Sequence, residues 1–537
     1  MSTYRLLVTD GVDPEGLAVL TATPEFVVDE VPTLPPAELL NRIDQYDAIV
    51  GRSATKVSAE LLRRATRLRV VGRAGVGVDN VDLDVATELG IAVINAPAGN
   101  TVAVAELVFG TLIGLIRQIP RATTGLHEGK WERSKLMGTE LKAKTLGIVG
   151  VGRIGGEVAR RAHAFDMKVV GFDPYVGDER FGALKVQRMA TLDDLLAEAD
   201  IVTVHVPLTD ETLGMIGRRE LARLSPKAIV ANLARGGIIE EAALVAALRD
   251  GKLAGAVVDA FTSEPLQGEH ALRGVPNLLL TPHIGANTHE AQRNVAVDVC
   301  QAVREALLNQ ELSRSLNVAA VSGKSWPELQ SAITIAQRAA SVARALLADR
   351  GLKAVTRLAV RTGSELSGSG PALLSAAVVG VLEGVMAEGR LNLINARSLA
   401  EARGIQLSVT EGAHGLPAHG LEVVLGGAMS EIAVAGIAPL EGTPRLTRIG
   451  GFHVDVNPKQ TLLILTNHDV PGVIGRVGTL LGDAKVNIAE YHQARLAQGG
   501  EALAAVSVDG SITEEVRQKL LAVPDILSAT IVRFRGA

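Results

Sequence analysis

The sequence predicts an α/β protein of several domains: two doubly wound parallel sheets, a mixed unit, and a small ferredoxin-like tail. Three observations carry that prediction. Short apolar runs alternate with helical patterns over residues 4–96, and the same rhythm restarts at Lys144. At 537 residues the chain is too long for one core. After Asn457-Pro458 the pattern reads β-α-β-β-α-β, the split βαβ order.

The elements follow in chain order. "RLLVT", "DAIVG", "LRVVGRAG" and "IAVINA" are the first strands, with "DPEGLAVL" a helix whose first turn accepts Pro14 after Asp13. Asn100 to Ile119 reads as one long buried helix, because it is apolar on every face. The second series supplies six strands: "TLGIVG", "KVVGFD", "ADIVTVHV", "KAIVANL", "AGAVVDAF" and "NLLLTPH". A helix from Asn287 to Leu308 is expected to return to the first domain. From about Val318 the texture changes, and "SWPELQSAITIAQRAASVARALLAD" is a long amphipathic helix.

Composition narrows the function. Aromatics are only 3%, so the cores are built from Ala, Val, Leu and Ile, as parallel sheets prefer. A net charge of −5 with no basic stripe argues against nucleic acid as a partner. The single cysteine, Cys300, excludes an intrachain disulfide and fits a reducing cytoplasm. The N-terminus lacks signal-peptide regions, and the apolar run from Pro371 meets Glu383 before it spans a bilayer, so no membrane partner is expected. One cysteine and no "HExxH" leave no metal site.

The chemistry lies at strand ends. Gly150-Val151-Gly152-Arg153-Ile154-Gly155 follows an apolar strand and opens a helix, the context of a dinucleotide fingerprint. Gly150 permits the turn, Gly152 admits the pyrophosphate, Gly155 lets helix and strand pack, and the helix N-terminus faces the phosphates. Asp173 ends the next strand; a carboxylate there accepts from both ribose hydroxyls and repels a 2′-phosphate, favouring NAD. Arg235, Glu264 and His283 each follow a different strand of this sheet and so can converge. Histidine titrates in the range needed to take a hydroxyl proton, a carboxylate beside it favours the imidazolium and fixes the ring, and an arginine grips a carboxylate with paired donors. For each residue alone, a solvated loop role is the bland alternative.

With "GVGRIGGEVA", "NLARGGIIEEAAL", "VVDAFTSEPL" and "TPHIGANTHEAQ" in this order, the first 310 or so residues resemble the D-isomer-specific 2-hydroxyacid dehydrogenases. "GRSATKV", "VVGRAGVGVDNVDLDVATELGI", "NAPAGNTVAVAEL" and "GKWERSKLMGTELKAKTLGIVG" narrow the resemblance to the members that oxidise 3-phospho-D-glycerate. It implies a Rossmann domain inserted in a flavodoxin-like substrate domain: 1–98 and 287–317 for substrate, 99–286 for NAD. An α+β intervening domain over 318–457 and a ferredoxin-like ACT domain over 458–537 are implied by "NLINARSLAEARGI" and "HDVPGVIGRVGTLLGDAKVNIAEY". Arg235, Glu264 and His283 are the implied catalytic set, with His283 the acid–base. Cofactor contacts are implied at Val76, Arg153, Ile154, Asp173, Val206, Ala234, Asp259, Gly285 and Ala286. Arg52, Ser53, Gly75 and Asn100 match the substrate side, with Arg73 a further candidate. Arg133 and Lys135 sit where relatives lend cations across a dimer interface, so a homodimer or homotetramer is implied.

In the tail, Asp469 before the "PGV" turn, with Asn467 nearby and Asn487 bridging between neighbouring units, marks a site for an amino-acid effector, L-serine by the logic of end-product feedback. The bland alternative is that Asp469 only caps the helix. Arg445 and Arg448 are candidates for an anion site in the intervening domain. Two rival functions remain at this point: reduction of another 2-oxo acid, such as hydroxypyruvate or glyoxylate, and a nucleotide-sensing corepressor of the same fold.

Overall fold

The computed structural model describes residues 3–318, 326–351, 355–383, 391–427, 430–439, 442–497 and 499–534. Its first sheet is fully parallel, with strands β1 (Tyr4–Val8), β2 (Phe26–Glu30), β3 (Ala48–Gly51), β4 (Val70–Arg73) and β5 (Ala92–Asn95) in the order 2-1-3-4-5. β2 escaped the sequence reading because it is an edge strand in which only Phe26 is buried. Asp13 caps the helix Pro14–Thr21 through Glu15 N, as expected. The helix His289–Asn309 returns to this sheet and buries Val295, Val299, Cys300 and Val303 against Leu6, Val8 and Val50. A Cβ on Gly16 would lie 2.6 Å from Ala296, so glycine permits these two helices to touch.

The second sheet has seven parallel strands. β6 (Thr145–Val149), β7 (Lys168–Phe172), β8 (Gln187–Arg188), β9 (Ile201–Val204), β10 (Ile229–Asn232), β11 (Gly255–Val258) and β12 (Leu278–Leu280) take the order 12-11-10-9-6-7-8. The chain reverses direction across the sheet between β6 and β9, which opens the ligand crevice at their carboxyl ends. The extra strand, β8, has only two exposed residues and carries no hydrophobic signal.

The long helix expected over Asn100–Ile119 stops at Ile116. Gln118 takes a left-handed φ of 53° and a second helix, Ile119–His127, leaves at 61°. Pro120 is the cause: it has no N–H to give the preceding turn, and its ring clashes with the carbonyl four residues back. No single helix among the described residues is long and apolar enough to cross a membrane.

The third sheet, six-stranded and mixed, is covered by the helices Trp326–Asp349 and Gly370–Leu382. The tail folds in the expected βαββαβ order as Thr461–His468, Val473–Asp483, Asn487–Arg495, Glu501–Asp509, Glu514–Leu521 and Ile526–Arg533. Its four-stranded antiparallel sheet is buried on both faces. Leu463, Leu465, Val506 and Val508 meet the tail's own helices, while Leu462, Ile464, Leu503, Ala505 and Val532 join the core of the third sheet. That is why "TLLILT" and "ALAAVSV" read as continuous apolar runs rather than alternating ones.

Candidate active site

The glycine turn is built by steric necessity. Gly150 has φ 92°, and a Cβ there would press on His205 O at 2.8 Å. A Cβ on Gly155 would lie 2.1 Å from Gly150 O, so only glycine lets the helix Arg153–Ala164 start this close to β6. Gly152 faces open space, with nothing within 4 Å of a Cβ. Gly152 caps that helix without a side-chain acceptor, so its first N–H groups point unclaimed toward the opening. Arg153 is exposed and Ile154 half-buried at this edge. Asp173, at the end of β7, accepts Val151 N at 2.9 Å and Tyr175 N at 3.0 Å, which aims its carboxylate across the turn. Open space, free donors and a fixed carboxylate fit a dinucleotide.

The strand ends beyond bring the expected trio to one edge. His283 Nδ1 lies 2.7 Å from Glu264 Oε2, and Glu264 Oε1 accepts Phe261 N at 2.9 Å. The carboxylate therefore holds one ring nitrogen and leaves Nε2 for the cleft. His283 itself takes a left-handed φ of 51°. Asp259 explains how that conformation is held: it is 1% exposed, and its oxygens accept Thr281 Oγ1, Ile284 N and Gly285 N at 2.6, 2.9 and 3.0 Å. Sequence reasoning offered Asp259 as a cofactor contact; three of its acceptor positions are spent on fixing the histidine loop. Ala286, next along, is half-buried and gives its carbonyl to Gln292 Nε2 at 2.6 Å.

Arg235 reaches from the second sheet to the first. Its Nε donates to Asp79 at 3.2 Å and its Nη1 to Ala234 O at 2.8 Å. Its Nη2 packs where a Cβ on Gly77 would be, 2.0 Å away. The Ala234–Arg235 backbone is shaped by Asn232, which accepts Ala234 N and donates to Arg235 O. Arg73 completes a cationic cluster. Burial first, then the charges of Arg235 and Arg52, push its guanidinium down to about 10, while Asp79 and Asp10 act the other way. Its Nε is buried with no partner. A side chain at Gly75 would occupy the place of this guanidinium, 1.4 Å from Nη1. Three crowded arginines with an unspent donor make a site for an anion.

Arg52 and Ser53 stand on a loop tied down by two polar residues that the sequence reading did not single out. Asp10 accepts Arg52 N and Thr55 N at 2.8 and 3.0 Å, and Asn80 donates to Arg52 O and Thr55 O at 2.9 and 2.7 Å. Val76, half-buried, gives its carbonyl to Asn95 Nδ2, and Val206 follows His205 beside Gly150. Asn100 starts the helix Thr101–Ile116 with its Oδ1 buried and unpartnered, an acceptor free for a ligand. A second histidine, His205, also sits at a strand end of this sheet. Burial pushes its ring down to about 3, and Nε2 lies 2.9 Å from Thr203 Oγ1, so it stays neutral and is no proton carrier near pH 7.

Other candidates are not gathered here. Arg133 and Lys135 lie on an exposed turn, Lys135 paired with Glu132 at 2.8 Å, and neither bonds to a residue of the cleft. His289 opens a helix at the surface.

Two expectations for the C-terminal third need correction. Asp469 does not cap the helix: Gly472 does, with φ 91°, while Asp469 pairs with Arg495 at 3.2 Å. Asn487 is not beside it. The strand register places Asn487 opposite Asp509 and Arg495 opposite Ala502, so Asp469 and Asn487 stand at opposite ends of the sheet, roughly 25 Å apart at ~3.3 Å per residue. Asn467 is 1% exposed and turns its amide nitrogen to His468 O at 2.7 Å. Arg445 and Arg448 do not form an anion site: Arg445 is neutralised by Asp455 and Glu490, Arg448 by the buried Glu422.

A nucleotide-binding parallel sheet carrying a His–Glu pair and an arginine at its carboxyl edge defines a D-isomer-specific 2-hydroxyacid dehydrogenase. The model for the D-isomer specific 2-hydroxyacid dehydrogenase NAD binding domain matches residues 109–285, and the ACT domain model matches residues 461–525. A D-3-phosphoglycerate dehydrogenase of Synechocystis is 37% identical over 99% of this chain and 95% of its own, and that of Bacillus subtilis 36% over 98% and 99%. With these relatives matching from end to end, the chain belongs to the D-3-phosphoglycerate dehydrogenase family. Among solved structures, a glyoxylate reductase from Paecilomyes thermophila superposes with a TM-score of 0.54 at 31% identity, covering 59% of this chain and 99% of that one. D-lactate dehydrogenase from Aquifex aeolicus, complexed with NAD and lactic acid, gives 0.51 at 26%, covering 57% and 97%.

Proposed function

We propose that this chain oxidises 3-phospho-D-glycerate to 3-phosphooxypyruvate with NAD, the first step toward L-serine. The observation that carries the reading is the His283–Glu264 pair at 2.7 Å on the edge where Arg235, Arg73 and Arg52 gather. A substrate with a carboxylate at one end and a phosphate at the other needs such a cluster, and a plain 2-oxo acid needs less of it. Relatives of this length that match from end to end support the same substrate over glyoxylate or hydroxypyruvate.

Bound NAD supplies the hydride acceptor. His283 Nε2 takes the hydroxyl proton as the C2 hydrogen departs, and Glu264 steadies the resulting imidazolium through Nδ1. Arg235 orients the substrate carboxylate and offers charge to the developing carbonyl oxygen. Asp79 keeps Arg235 in that position, and Asp259 keeps His283 in its own. The Asn100 Oδ1, unpartnered among the described residues, is available to the substrate.

We assign residues 1–98 and 287–317 to the substrate domain, 99–286 to the NAD domain, 318–457 to the intervening domain and 458–537 to the ACT domain, in keeping with the four sheets. A homodimer or homotetramer is supported by the exposed Trp131 and Met137 flanking Arg133 and Lys135, side chains that a second copy would cover. Cytoplasmic placement rests on the single cysteine. L-Serine is the proposed effector at the Asp469 turn, with any part for Asn487 coming from a neighbouring copy.

Turnover of 3-phospho-D-glycerate by the full-length chain, with and without millimolar L-serine, tests both readings. Expected are NAD reduction and inhibition by serine. A chain that reduces glyoxylate well and leaves 3-phospho-D-glycerate untouched refutes the substrate. Active enzyme indifferent to serine refutes only the effector.

Cofactor choice gives a second test. Asp173→Ala is expected to narrow the NAD/NADP preference in kcat/KM, because the ribose acceptor and the repulsion of a 2′-phosphate go together. A wild type that already prefers NADP overturns the role given to Asp173.

A further inference from the structure

A cleft of about 710 Å³ lies between the intervening domain and the tail, remote from the dehydrogenase edge. Ligand sites commonly fall in this range, roughly 300–1,000 Å³, and at domain boundaries. One wall is the second half of the helix Trp326–Asp349, with Arg344 and Asp349, joined by Glu383 at the end of Gly370–Leu382. The other wall is the tail's last helix and last strand, with Glu514, Arg517, Thr530 and Arg533.

The charges here do not cancel in space. Asp349 accepts Thr530 Oγ1 and faces Arg517 at 3.6 Å. Glu514 accepts Arg517 Nη1 at 3.0 Å and Gln518 Nε2 at 2.7 Å. Glu383 accepts Gln337 Nε2 at 3.4 Å and lies close enough to Arg338 to favour its charged form. All three carboxylates are thus engaged. Among the described residues two arginines are not neutralised: Arg533 gives one donor to Ile512 O and pairs with no carboxylate, and Arg344 has a buried Nε with no partner and no ion pair. A buried guanidinium donor left unmade costs free energy, and a charged one costs more than a neutral one. An oxyanion in the cleft relieves that cost at Arg344, and the exposed Arg533 across the cleft adds a second cationic donor to hold it.

We propose that this cleft binds a small metabolite through an oxyanion, carboxylate or phosphate, held between Arg344 of the intervening domain and Arg533 of the tail. The ligand would fasten the two walls to each other. The site is separate from the Asp469 turn, since the cleft is lined by the last helix and strand of the tail and contains neither Asp469 nor Arg495. It is also separate from the ion-paired Arg445 and Arg448, and it does not depend on the dehydrogenase reading.

Calorimetric titration of the full-length chain with inorganic phosphate and, separately, with succinate tests it. The Arg344→Gln/Arg533→Gln double variant is titrated alongside, because the catalytic arginines also take anions. Wild type is expected to bind at least one probe in a class of sites that the double variant loses, weakening roughly tenfold or more as charge-assisted bonds are removed. Phosphate alone binding there identifies a phosphorylated ligand, and succinate binding identifies a carboxylate. Arg344→Lys/Arg533→Lys keeps the charges and is expected to retain part of the affinity, which separates a site from a folding defect. Isotherms that superimpose between wild type and the glutamine variant for both probes overturn the proposal.

Discussion

His283→Ala is expected to lower kcat by about 10²–10⁴-fold, the usual contribution of a positioned general base. The loss should fall on kcat more than on KM, since the arginines that hold the substrate are untouched. Glu264→Gln keeps the shape beside the ring but removes the charge opposite Nδ1, now 2.7 Å away, and should cost less than the histidine itself. Steady-state kinetics with 3-phospho-D-glycerate and NAD measure both. Full-rate His283→Ala enzyme would end the mechanism, because the other histidine at a strand end of this sheet, His205, is held neutral by burial and offers no substitute.

The second large effect belongs to the glycine turn, and two substitutions distinguish its parts. In Gly155→Ala the new methyl meets Gly150 O at 2.1 Å, backbone against side chain, and neither can rotate away. Overpacking of this kind costs about 1–3 kcal/mol of stability, and the displaced turn should also lose cofactor affinity. In Gly152→Ala the methyl enters open space, so stability should hold while NAD binding suffers alone. Thermal unfolding and a fluorescence titration with NADH read the two quantities. Equal melting temperatures for Gly155→Ala and wild type would show that the helix and β6 are not as tightly abutted as described.

The site was legible in the sequence where a residue stands beside a strand end or a glycine, because those positions have little freedom in a doubly wound sheet. Gly150, Asp173, Arg235, Glu264 and His283 are of that kind. The residues that hold them were not. Asp10, Asp79 and Asn80 look like solvated loop residues until the fold brings Asp10 and Asn80 to the Arg52 loop and Asp79 to Arg235 from the other sheet. Asp259 was named as a cofactor contact, while its hold on the histidine loop went unread, since hydrogen bonds to a neighbouring loop leave no trace in spacing. In the tail, a motif read along the chain set Asn487 near Asp469 as a bridge between neighbouring units; within one chain a helix and the strand direction carry the two to opposite ends. The strands unseen in the first two sheets, Phe26–Glu30 and Gln187–Arg188, lie at sheet edges and bury too little to show a pattern.

The tail's sheet, apolar on both faces, bears on how this architecture can be taken apart. A regulatory module that can be cut out and grafted elsewhere must end in a polar skin, and this one ends in Leu462, Ile464, Leu503, Ala505 and Val532, which are shared with its neighbour. Severed near Asn457, it would present a greasy plane to solvent and seek any partner that hides it. The smallest portable piece is therefore the intervening domain and tail together, and the proposed effector's signal in the tail would reach the third sheet through a core the two share. From there the path onward runs through Asn392, which donates to Gly90 O at 2.6 Å, and Ile394, buried in the core of the first sheet. A tail welded to its neighbour in this way trades interchangeability for fidelity.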